Sequence, residues 1–352
     1  MAPNDDRIDL ELLACPQCHA DKRASQIVYH SPDQLSCSSC HRQFSVRDGL
    51  PNFLLDTTIK SELEKNPASY IHHLKGTNTD NTYATWNALL GEFNALNGAY
   101  LEIGAGNGFL SNGIIQYSRY EKIAITDISE MFIRDIISKN SDAGRKVDYY
   151  ICDANHLPFQ DNSFDVVVGR SILHHLLHYE KTLGEIFNIL KPNGKAFFLE
   201  PILQGKLLVA FFLKIIMASN DNQQSGIFTS DQIKKINVLI RHLTKTSRIG
   251  SDLEALSAME DKYIFDVVAI KNLSQKIGYG RFIYKNYCPK DNKDDYPEWG
   301  YKQYVFAHVK KFGVTREQLA KFDYLFNSFG ETFSDHINHQ LYTPMGYFVF
   351  EK

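Results

Sequence analysis

Four cysteines near the start of the chain are spaced as metal ligands. Cys15 and Cys18 form one C-x-x-C pair, and Cys37 and Cys40 form a second, with 18 residues between the pairs. Two such turns, brought together by a hairpin, supply four thiolates to one tetrahedral zinc ion, and the spacing is that of a zinc ribbon. Four thiolates leave no open coordination position, so we expect a structural zinc. A thioredoxin-type redox pair is the alternative interpretation.

A second group of candidate residues lies in the segment L-E-I-G-A-G-N-G, which begins at Leu101. Gly104, Gly106 and Gly108 allow a sharp turn and a close approach of the backbone to a ligand. Dinucleotide sites have the spacing G-x-G-x-x-G and bind a pyrophosphate at a helix N-terminus. Here the spacing is G-x-G-x-G, and Glu102 lies two residues before the first glycine. Its carboxylate would repel a pyrophosphate but attract the cationic methionine end of S-adenosylmethionine.

Two further acids end the next two apolar runs. Asp127 follows the glycines by about 20 residues, where a carboxylate can accept both hydroxyls of a ribose. Asp153 ends the following run, where it could accept the amino group of an adenine. A helix N-terminal acid is the alternative for Asp127, and a solvated turn residue is the alternative for Asp153. Further expected cofactor contacts are Ala105, Ile128, Ala154 and Arg170.

These residues need strands and helices to position them. Short apolar runs predict seven strands, and helical patterns separate the first five, which indicates βαβ units and a mostly parallel sheet. We therefore expect a Rossmann-like α/β domain. The predicted strands are Tyr100–Ile103, Lys122–Thr126, Val147–Ile151, Phe164–Val168, Lys195–Glu200, Arg281–Lys285 and Tyr347–Phe350.

The predicted domain order follows from these patterns. Residues 1–58 are expected to form the ribbon and residues 59–98 a helical linker. Residues 99–352 are expected to form the α/β domain, with residues 201–280 as a helical cap. His19 and His41, which each follow a cysteine, are expected at the surface.

The composition restricts the class of protein. The 352 residues are 43% hydrophobic and 22% charged, with a net charge of −3, which excludes a generally basic nucleic-acid binder. The N-terminus lacks a signal pattern. The most apolar run, 207–217, is shorter than the roughly 18 residues that span a bilayer. We expect a cytoplasmic protein.

The first region resembles the zinc-ribbon family of small activator proteins that pair with tRNA and protein methyltransferases. The resemblance rests on L-L-A-C-P from Leu12 and F-S-V-R-D-G-L-P-N-F-L from Phe44. It implies a module that stabilises a methyltransferase, or helps to present its substrate, within one chain.

The glycine loop and its acids resemble the class I S-adenosylmethionine-dependent methyltransferases, especially the small-molecule branch. The resemblance implies that Glu102 and the glycines hold the methionine part of the cofactor, Asp127 the ribose and Asp153 the adenine. It continues through L-P-F at Leu157, D-N-S-F-D-V-V at Asp161, I-L-H-H-L at Ile172 and L-K-P-N-G-K at Leu190.

Methyl transfer from a sulfonium needs alignment in a dry cavity, and it needs a base only when the acceptor carries a proton of high pKa. Candidate groups lie where the fourth and fifth strands end: Arg170, His174, His175 and Glu200. For the two histidines, a base or substrate contact and a packing or capping role both remain open.

We therefore expect an enzyme that methylates O, N or C of a small or medium-sized metabolite, with S-adenosylmethionine and a structural zinc ion. An RNA base methyltransferase is one alternative, because zinc ribbons also precede this domain in ribosomal RNA guanine methyltransferases. Residues 1–60 carry slightly more Asp and Glu than Lys and Arg, which disfavours that alternative. A non-catalytic adaptor that docks a partner through its ribbon is the other alternative. The acceptor and the oligomeric state stay open.

Overall fold

The structure is a computed structural model. It describes residues 8–56, 58, 79–222, 226–244, 252–257, 259–287, 301–329 and 343–352.

The N-terminal part forms a small antiparallel sheet in the order β1-β2-β3-β4. Side chains of the third strand alternate between buried and exposed, with Phe44 and Val46 on the buried face. A short helix, α1 (Pro16–Ala20), begins directly after Cys15 with proline at its first position, where the missing N–H costs no hydrogen bond. The strands are β1 (Ile27–Ser31), β2 (Gln34–Cys37), β3 (Gln43–Arg47) and β4 (Leu50–Pro51).

The larger part is built on a seven-stranded sheet in the order β10-β11-β9-β8-β5-β6-β7. Its strands are β5 (Ala99–Ile103), β6 (Lys122–Asp127), β7 (Asp148–Ile151), β8 (Phe164–Arg170), β9 (Leu190–Pro201), β10 (Arg281–Asn286) and β11 (Met345–Glu351). β11 pairs antiparallel with both of its neighbours, whereas the pairs from β9 to β7 are parallel. The seven predicted strands and the Rossmann-like α/β fold are confirmed.

Helices cover both faces of this sheet, so all five residues of β5 are buried. For the same reason the central strands read as continuous apolar runs and not as an alternation of apolar and polar residues. The helices of the larger part are α2 (Thr79–Glu92), α3 (Ser111–Tyr117), α4 (Glu130–Lys139), α5 (Tyr179–Ile189), α6 (Leu203–Asn222), α7 (Ser230–Thr244), α8 (Leu253–Ser257), α9 (Val267–Ile277), α10 (Lys302–Val309) and α11 (Arg316–Ala320). Because β5 to β9 run parallel, the loops after them meet at one edge of the sheet.

A separate apolar core holds the helical cap together. α6 and α7 share this core with residues beyond the predicted cap, including Tyr301, Phe322 and Phe326. Phe212 stacks on Tyr301 with the ring centroids 5.5 Å apart, and on Phe326 at 5.0 Å. The described aromatic residues of the segment 301–329 are therefore mainly packing residues of the cap.

The most apolar stretch of the sequence lies inside α6. By length and composition its window Leu203–Asn220 could cross a membrane, with a mean hydropathy of 1.3, and 44% of that window is buried in the protein. Val209, Phe212 and Ile216 turn into the cap core, while Leu207 and Phe211 are exposed. One face of the helix is therefore already used for packing within the chain.

Candidate functional site

A cavity opens at the edge of the sheet where β5, β6, β7 and β8 end. It brings together the predicted cofactor contacts from four separate loops. Its lining includes Glu102, Gly104, Ala105, Gly106, Asp127, Ile128, Asp153, Ala154 and Arg170. We call it the cofactor cavity.

The loop after β5 needs glycine for two different reasons. Gly104 has φ +65°, and a Cβ there would lie 2.6 Å from Cδ1 of Ile172. Gly106 has φ +54° with open space around it, so the left-handed backbone itself disfavours a side chain. Together the two positions let the backbone turn across the mouth of the cavity.

Asp127 holds this loop in place. Its Oδ2 accepts the backbone N–H of Gly106 at 2.8 Å, and its Oδ1 accepts the N–H of Ser129 at the same distance. The second contact closes a turn directly before α4, whose N-cap residue is Ser129. The same carboxylate also lines the cofactor cavity, so holding the loop and binding a ligand are compatible here.

Glu102 is the most buried acid of the cofactor cavity, with 2% of the residue exposed. Its Oε2 accepts hydrogen bonds from the hydroxyls of Ser111 at 2.9 Å and Tyr100 at 3.3 Å. Burial outweighs these bonds and raises the pKa of Glu102 to about 8. A cationic ligand in the cavity would favour the ionised form of this carboxyl group.

Asp153 lines the cavity from the loop after β7. Its Oδ1 accepts the N–H of Asn155 at 2.8 Å. Burial acts to raise the pKa of Asp153, but His156 and the Asn155 hydrogen bonds outweigh it and hold the pKa below its usual range. The residue is 8% exposed, which places it in a buried turn and disagrees with the solvated turn of the alternative interpretation.

Several lining residues were not expected from the sequence. Phe109, Phe132 and Leu176 supply apolar walls to the cofactor cavity. The guanidinium carbon of Arg170 lies 5.4 Å from the centroid of the Phe109 ring. Phe109 and Leu176 are single apolar residues in loops, and Phe132 belongs to the buried face of α4, so the sequence pattern did not mark any of them as lining residues.

Gly108 lies away from the lining of the cofactor cavity. A Cβ at this position would lie 2.9 Å from Cγ1 of Ile136 on α4 and 3.0 Å from Oδ1 of Asn112. Its φ is +81°. We therefore assign Gly108 a packing role, which allows α3 and α4 to approach each other.

A second cavity adjoins the first, and we call it the acceptor cavity. The two share Ser171, His175 and Glu260. The remaining residues of its lining are His174, Pro201, Lys206, His242, Asp261, Tyr263, Ile264 and Met345. The residues that both cavities share form the junction between them. Of the four groups predicted near the methyl group, His174 and His175 line the acceptor cavity and Glu200 lies directly behind them. The fourth, Arg170, lines the cofactor cavity.

Glu200 organises the junction from behind. It is fully buried, and its Oε1 accepts the N–H groups of Ile172 at 3.0 Å and Leu173 at 2.8 Å. Its Oε2 lies 2.6 Å from Nδ1 of His174. Burial acts to lower the pKa of His174, but Glu200 and Asp261 outweigh it and raise the pKa to about 9.

His175 lies beside His174 at the boundary of the two cavities, with the ring centroids 4.0 Å apart. Its Nδ1 lies 3.1 Å from the backbone oxygen of Glu260. Burial and the neighbouring His174 lower its pKa. Both histidines thus contact the segment 260–261, which lies far from them in the sequence.

The four N-terminal cysteines come together in one cluster. Sγ of Cys15 lies 3.6 Å from Sγ of Cys40, and Sγ of Cys18 lies 3.7 Å from Sγ of Cys37. Zinc–sulfur bonds of 2.3 Å in a tetrahedron require about 3.8 Å between sulfurs. The N–H of Ser39 also points at Sγ of Cys37 at 3.3 Å, as suits a thiolate. The cluster fits a structural zinc ion.

The small β sheet docks on the larger part of its own chain. The N–H of Ala14 donates to the carbonyl of Pro158 at 3.0 Å, and the N–H of Phe53 donates to that of Ile151 at 2.8 Å. Phe53 and Tyr150 belong to one apolar core that crosses the boundary. The small sheet therefore covers the free edge of the large sheet at β7, next to the loop that carries Asp153.

His19 departs from the prediction that it lies at the surface. Its side chain is only 14% exposed and bridges the two parts of the chain, with Nδ1 3.0 Å from Glu185 and Nε2 2.9 Å from Asp161. The prediction was wrong because both partners lie more than 140 residues away in the sequence. His41 is exposed, as predicted.

Comparison with known proteins finds similarity in the segment that contains the glycine loop. Residues 101–198 match the family model described as a methyltransferase domain. A ubiquinone/menaquinone biosynthesis C-methyltransferase, UbiE, of Burkholderia mallei is 28% identical over 184 residues, which cover 50% of this chain and 71% of that protein. The corresponding protein of Burkholderia thailandensis gives the same figures.

Two solved structures also align with the chain. Phosphoethanolamine N-methyltransferase 2 of Haemonchus contortus, in complex with S-adenosyl-L-methionine, aligns with a TM-score of 0.42 and 16% identity. That alignment covers 76% of this chain and about half of the other, 52%. The YcgJ protein of Bacillus subtilis aligns with a TM-score of 0.40 and 14% identity, over 76% of this chain and 98% of the other.

Proposed function

We propose that this chain, an S-adenosylmethionine-dependent methyltransferase, transfers the methyl group to an O, N or C atom of a small or medium-sized molecule. The observation that carries the proposal is the shared wall of the two cavities. Because Ser171, His175 and Glu260 line both, a sulfonium methyl group at the end of the cofactor cavity would face the acceptor cavity.

The cofactor would be held along the edges of three neighbouring strands. We assign Glu102 to the ammonium and sulfonium charges, Asp127 to the ribose hydroxyls and Asp153 to the adenine amino group. Phe109 and Phe132 would exclude water from the apolar parts of the adenosine. The direction from Asp153 to Glu102 then places the methyl group toward Ser171 and His175.

In the proposed reaction, a nucleophilic atom of the acceptor forms a bond to the methyl carbon as the carbon–sulfur bond breaks, and S-adenosylhomocysteine leaves. The chain contributes alignment and exclusion of water. Glu200 is a positioning residue, because it is buried and holds His174 and the backbone of residues 172–173. His174 and His175 face the acceptor.

A small-molecule acceptor is favoured over RNA by three observations. The Burkholderia relatives are named as C-methyltransferases of quinone biosynthesis, which act on small molecules. The small sheet is docked on its own catalytic part through main-chain hydrogen bonds. The net charge of −3 offers no broad attraction to phosphates.

We further propose that the four cysteines bind a structural zinc ion and that the ribbon, residues 1–58, stabilises the β7 edge in cis. The remaining boundaries are those predicted from the sequence, with the cap extended by the packed residues 301–329. A cytoplasmic location stays a prediction.

Transfer of a labelled methyl group tests the proposal. The protein is incubated with S-adenosylmethionine labelled in the methyl group and with a cell extract separated into an RNA fraction and a low-molecular-weight fraction. We expect label in the low-molecular-weight fraction with the parent protein and at least tenfold less with Asp127→Ala. Label in the RNA fraction alone, or equal label with both proteins, would refute the proposal.

A further inference from the structure

We propose that His174, His175 and Asp261 bind a divalent metal ion at the junction of the cofactor and acceptor cavities. This site is separate from the cysteine cluster, and its existence does not depend on the proposed function. Only its role in activating the acceptor rests on that function.

The three side chains converge with distances that suit one ion. Oδ1 of Asp261 lies 3.5 Å from Nε2 of His174 and 3.7 Å from Nδ1 of His175, and all three ligand atoms lie within 4.8 Å of one another. Metal bonds of 2.0–2.2 Å to nitrogen and oxygen separate neighbouring tetrahedral ligands by about 3.4 Å. Small side-chain shifts would therefore complete the site.

Glu200 provides the support that metal-binding histidines usually have. Histidine ligands commonly use their second ring nitrogen to donate to a carboxylate, which fixes the ring orientation and the tautomer. Nδ1 of His174 lies 2.6 Å from Oε2 of Glu200, and this leaves Nε2 directed at Asp261. Because Glu200 is fully buried and is also held by backbone N–H groups, the orientation is fixed before any ion arrives.

The charge around the junction also favours a cation. Three carboxylates, from Glu200, Glu260 and Asp261, surround the two histidines, whereas Lys206 is the lysine in the lining of the acceptor cavity. Oε1 of Glu260 lies 3.5 Å from Nδ1 of His175, and the Glu260 carbonyl oxygen lies 3.1 Å from it. Glu260 thus supplies further oxygen atoms that lie close enough to His175 to act as a fourth ligand of the same ion.

Two imidazoles and one carboxylate select the kind of metal. This ligand set suits Mn²⁺, Fe²⁺, Co²⁺ or Zn²⁺ and leaves coordination positions open. The cysteine cluster offers four thiolates, which prefer softer ions and leave no open position. The Asp261 side chain is 68% exposed. The open coordination positions of an ion bound there would therefore face the acceptor cavity, on the side that solvent reaches.

An ion here would bind a hydroxyl group of the acceptor. Coordination lowers the pKa of a bound hydroxyl group, so that its proton leaves to water and the oxygen becomes anionic. The anionic oxygen, or the carbon adjacent to the C–O carbon, onto which the negative charge is delocalised, then attacks the methyl carbon as the carbon–sulfur bond breaks. The acceptor class is therefore a compound whose hydroxyl can coordinate a metal, such as a phenol or an enol.

Binding of Mn²⁺ to the full chain loaded with a single equivalent of Zn²⁺, followed by electron paramagnetic resonance, tests the inference, because the four thiolates take that one Zn²⁺ ion and leave the second site empty. Mn²⁺ binds thiolates poorly, so the filled cysteine cluster does not compete. Asp261→Asn removes the charge of one ligand and His175→Ala removes another ligand. Asp231→Asn is the matched control because Asp231 is an exposed acid on α7 that pairs with Lys235. The circular dichroism spectrum and the unfolding temperature, measured without Mn²⁺, show that each variant is folded.

We expect one Mn²⁺ ion per parent chain and per Asp231→Asn chain, and at least tenfold weaker binding in the two ligand variants. Absence of bound Mn²⁺ in a parent protein that binds S-adenosylmethionine would overturn the metal site and leave the proposed function intact. Equal binding in parent and ligand variants would place the ion elsewhere and would also overturn it.

Discussion

The carboxylate of Asp127 accepts the backbone N–H of Gly106 at 2.8 Å, so the acid that ends β6 holds the glycine loop that follows β5. One side chain thereby joins the two loops between which the cofactor is proposed to lie. Its second oxygen accepts the N–H of Ser129, in the turn that leads into α4. The site is thus assembled before the ligand binds.

Asp127→Asn is expected to weaken S-adenosylmethionine binding. The amide keeps the shape of the side chain but loses the charge and one acceptor oxygen. Hydrogen bonds to charged groups contribute about 1.5–3 kcal/mol, so we expect about a ten- to hundredfold increase in Kd by isothermal titration calorimetry. Asp135→Asn, which disrupts a surface pair with Lys139, is the control. Equal affinity in all three proteins would remove Asp127 from the site.

The affinity for S-adenosylmethionine is expected to rise with pH. Burial raises the pKa of Glu102 to about 8, so below that pH the free protein carries the protonated acid. A bound cation favours the carboxylate, so binding releases a proton, and affinity should increase by up to about tenfold per pH unit until it levels off above about 8.

Calorimetry in buffers of different ionisation enthalpy measures this proton release. Glu102→Gln is the control. In this variant the ionisable groups of the ligand still titrate, but the carboxyl group of Glu102 is absent. An identical pH dependence of the affinity in parent and variant would show that the ionisation of Glu102 is not coupled to binding of the cation.

Two glycine substitutions should change stability in opposite directions. Gly106→Ala places a side chain at φ +54° without any clash, and the left-handed conformation costs about 1–2 kcal/mol. Gly184→Ala, in α5 and also without a neighbour within 4 Å of the added Cβ, should stabilise by about 0.5–1 kcal/mol. Chemical denaturation measures both. Equal effects would mean that the loop does not adopt the positive φ.

Removal of zinc from the cysteine cluster should destabilise the whole chain. Phe53 of the ribbon and Tyr150 of β7 lie in one core with ring centroids 6.3 Å apart, so loss of the ribbon fold exposes the edge of the large sheet. Calorimetry before and after chelation should show one unfolding transition that moves to lower temperature as a unit. A separate small transition with the main one unchanged would show that the ribbon is energetically independent.

Local patterns were sufficient to predict the framework of the site. The alternation of apolar runs and helices places Glu102, Asp127 and Asp153 at the ends of adjacent strands, because parallel strands end at one edge. The cysteine spacing likewise predicts the cluster. These predictions depend on residues that lie close together along the chain or on a regular repeat of strands.

Contacts between distant segments were not accessible to the same reasoning. Asp261 meets His174 across 87 residues, and His19 meets Glu185 across 166, without a spacing that relates them. The cap shows the same limitation, since Phe212 packs on Phe326 although residue 326 lies beyond the predicted cap. Tertiary packing, which no local period encodes, decides these pairs.

The position of bound S-adenosylhomocysteine in a crystal structure tests the central claim most directly. We predict the adenine beside Asp153, the ribose hydroxyls on Asp127, and the sulfur atom directed at Ser171 and His175, where the two cavities meet. A nicotinamide nucleotide in this cavity, or S-adenosylhomocysteine bound with its sulfur directed away from His175, would contradict the account.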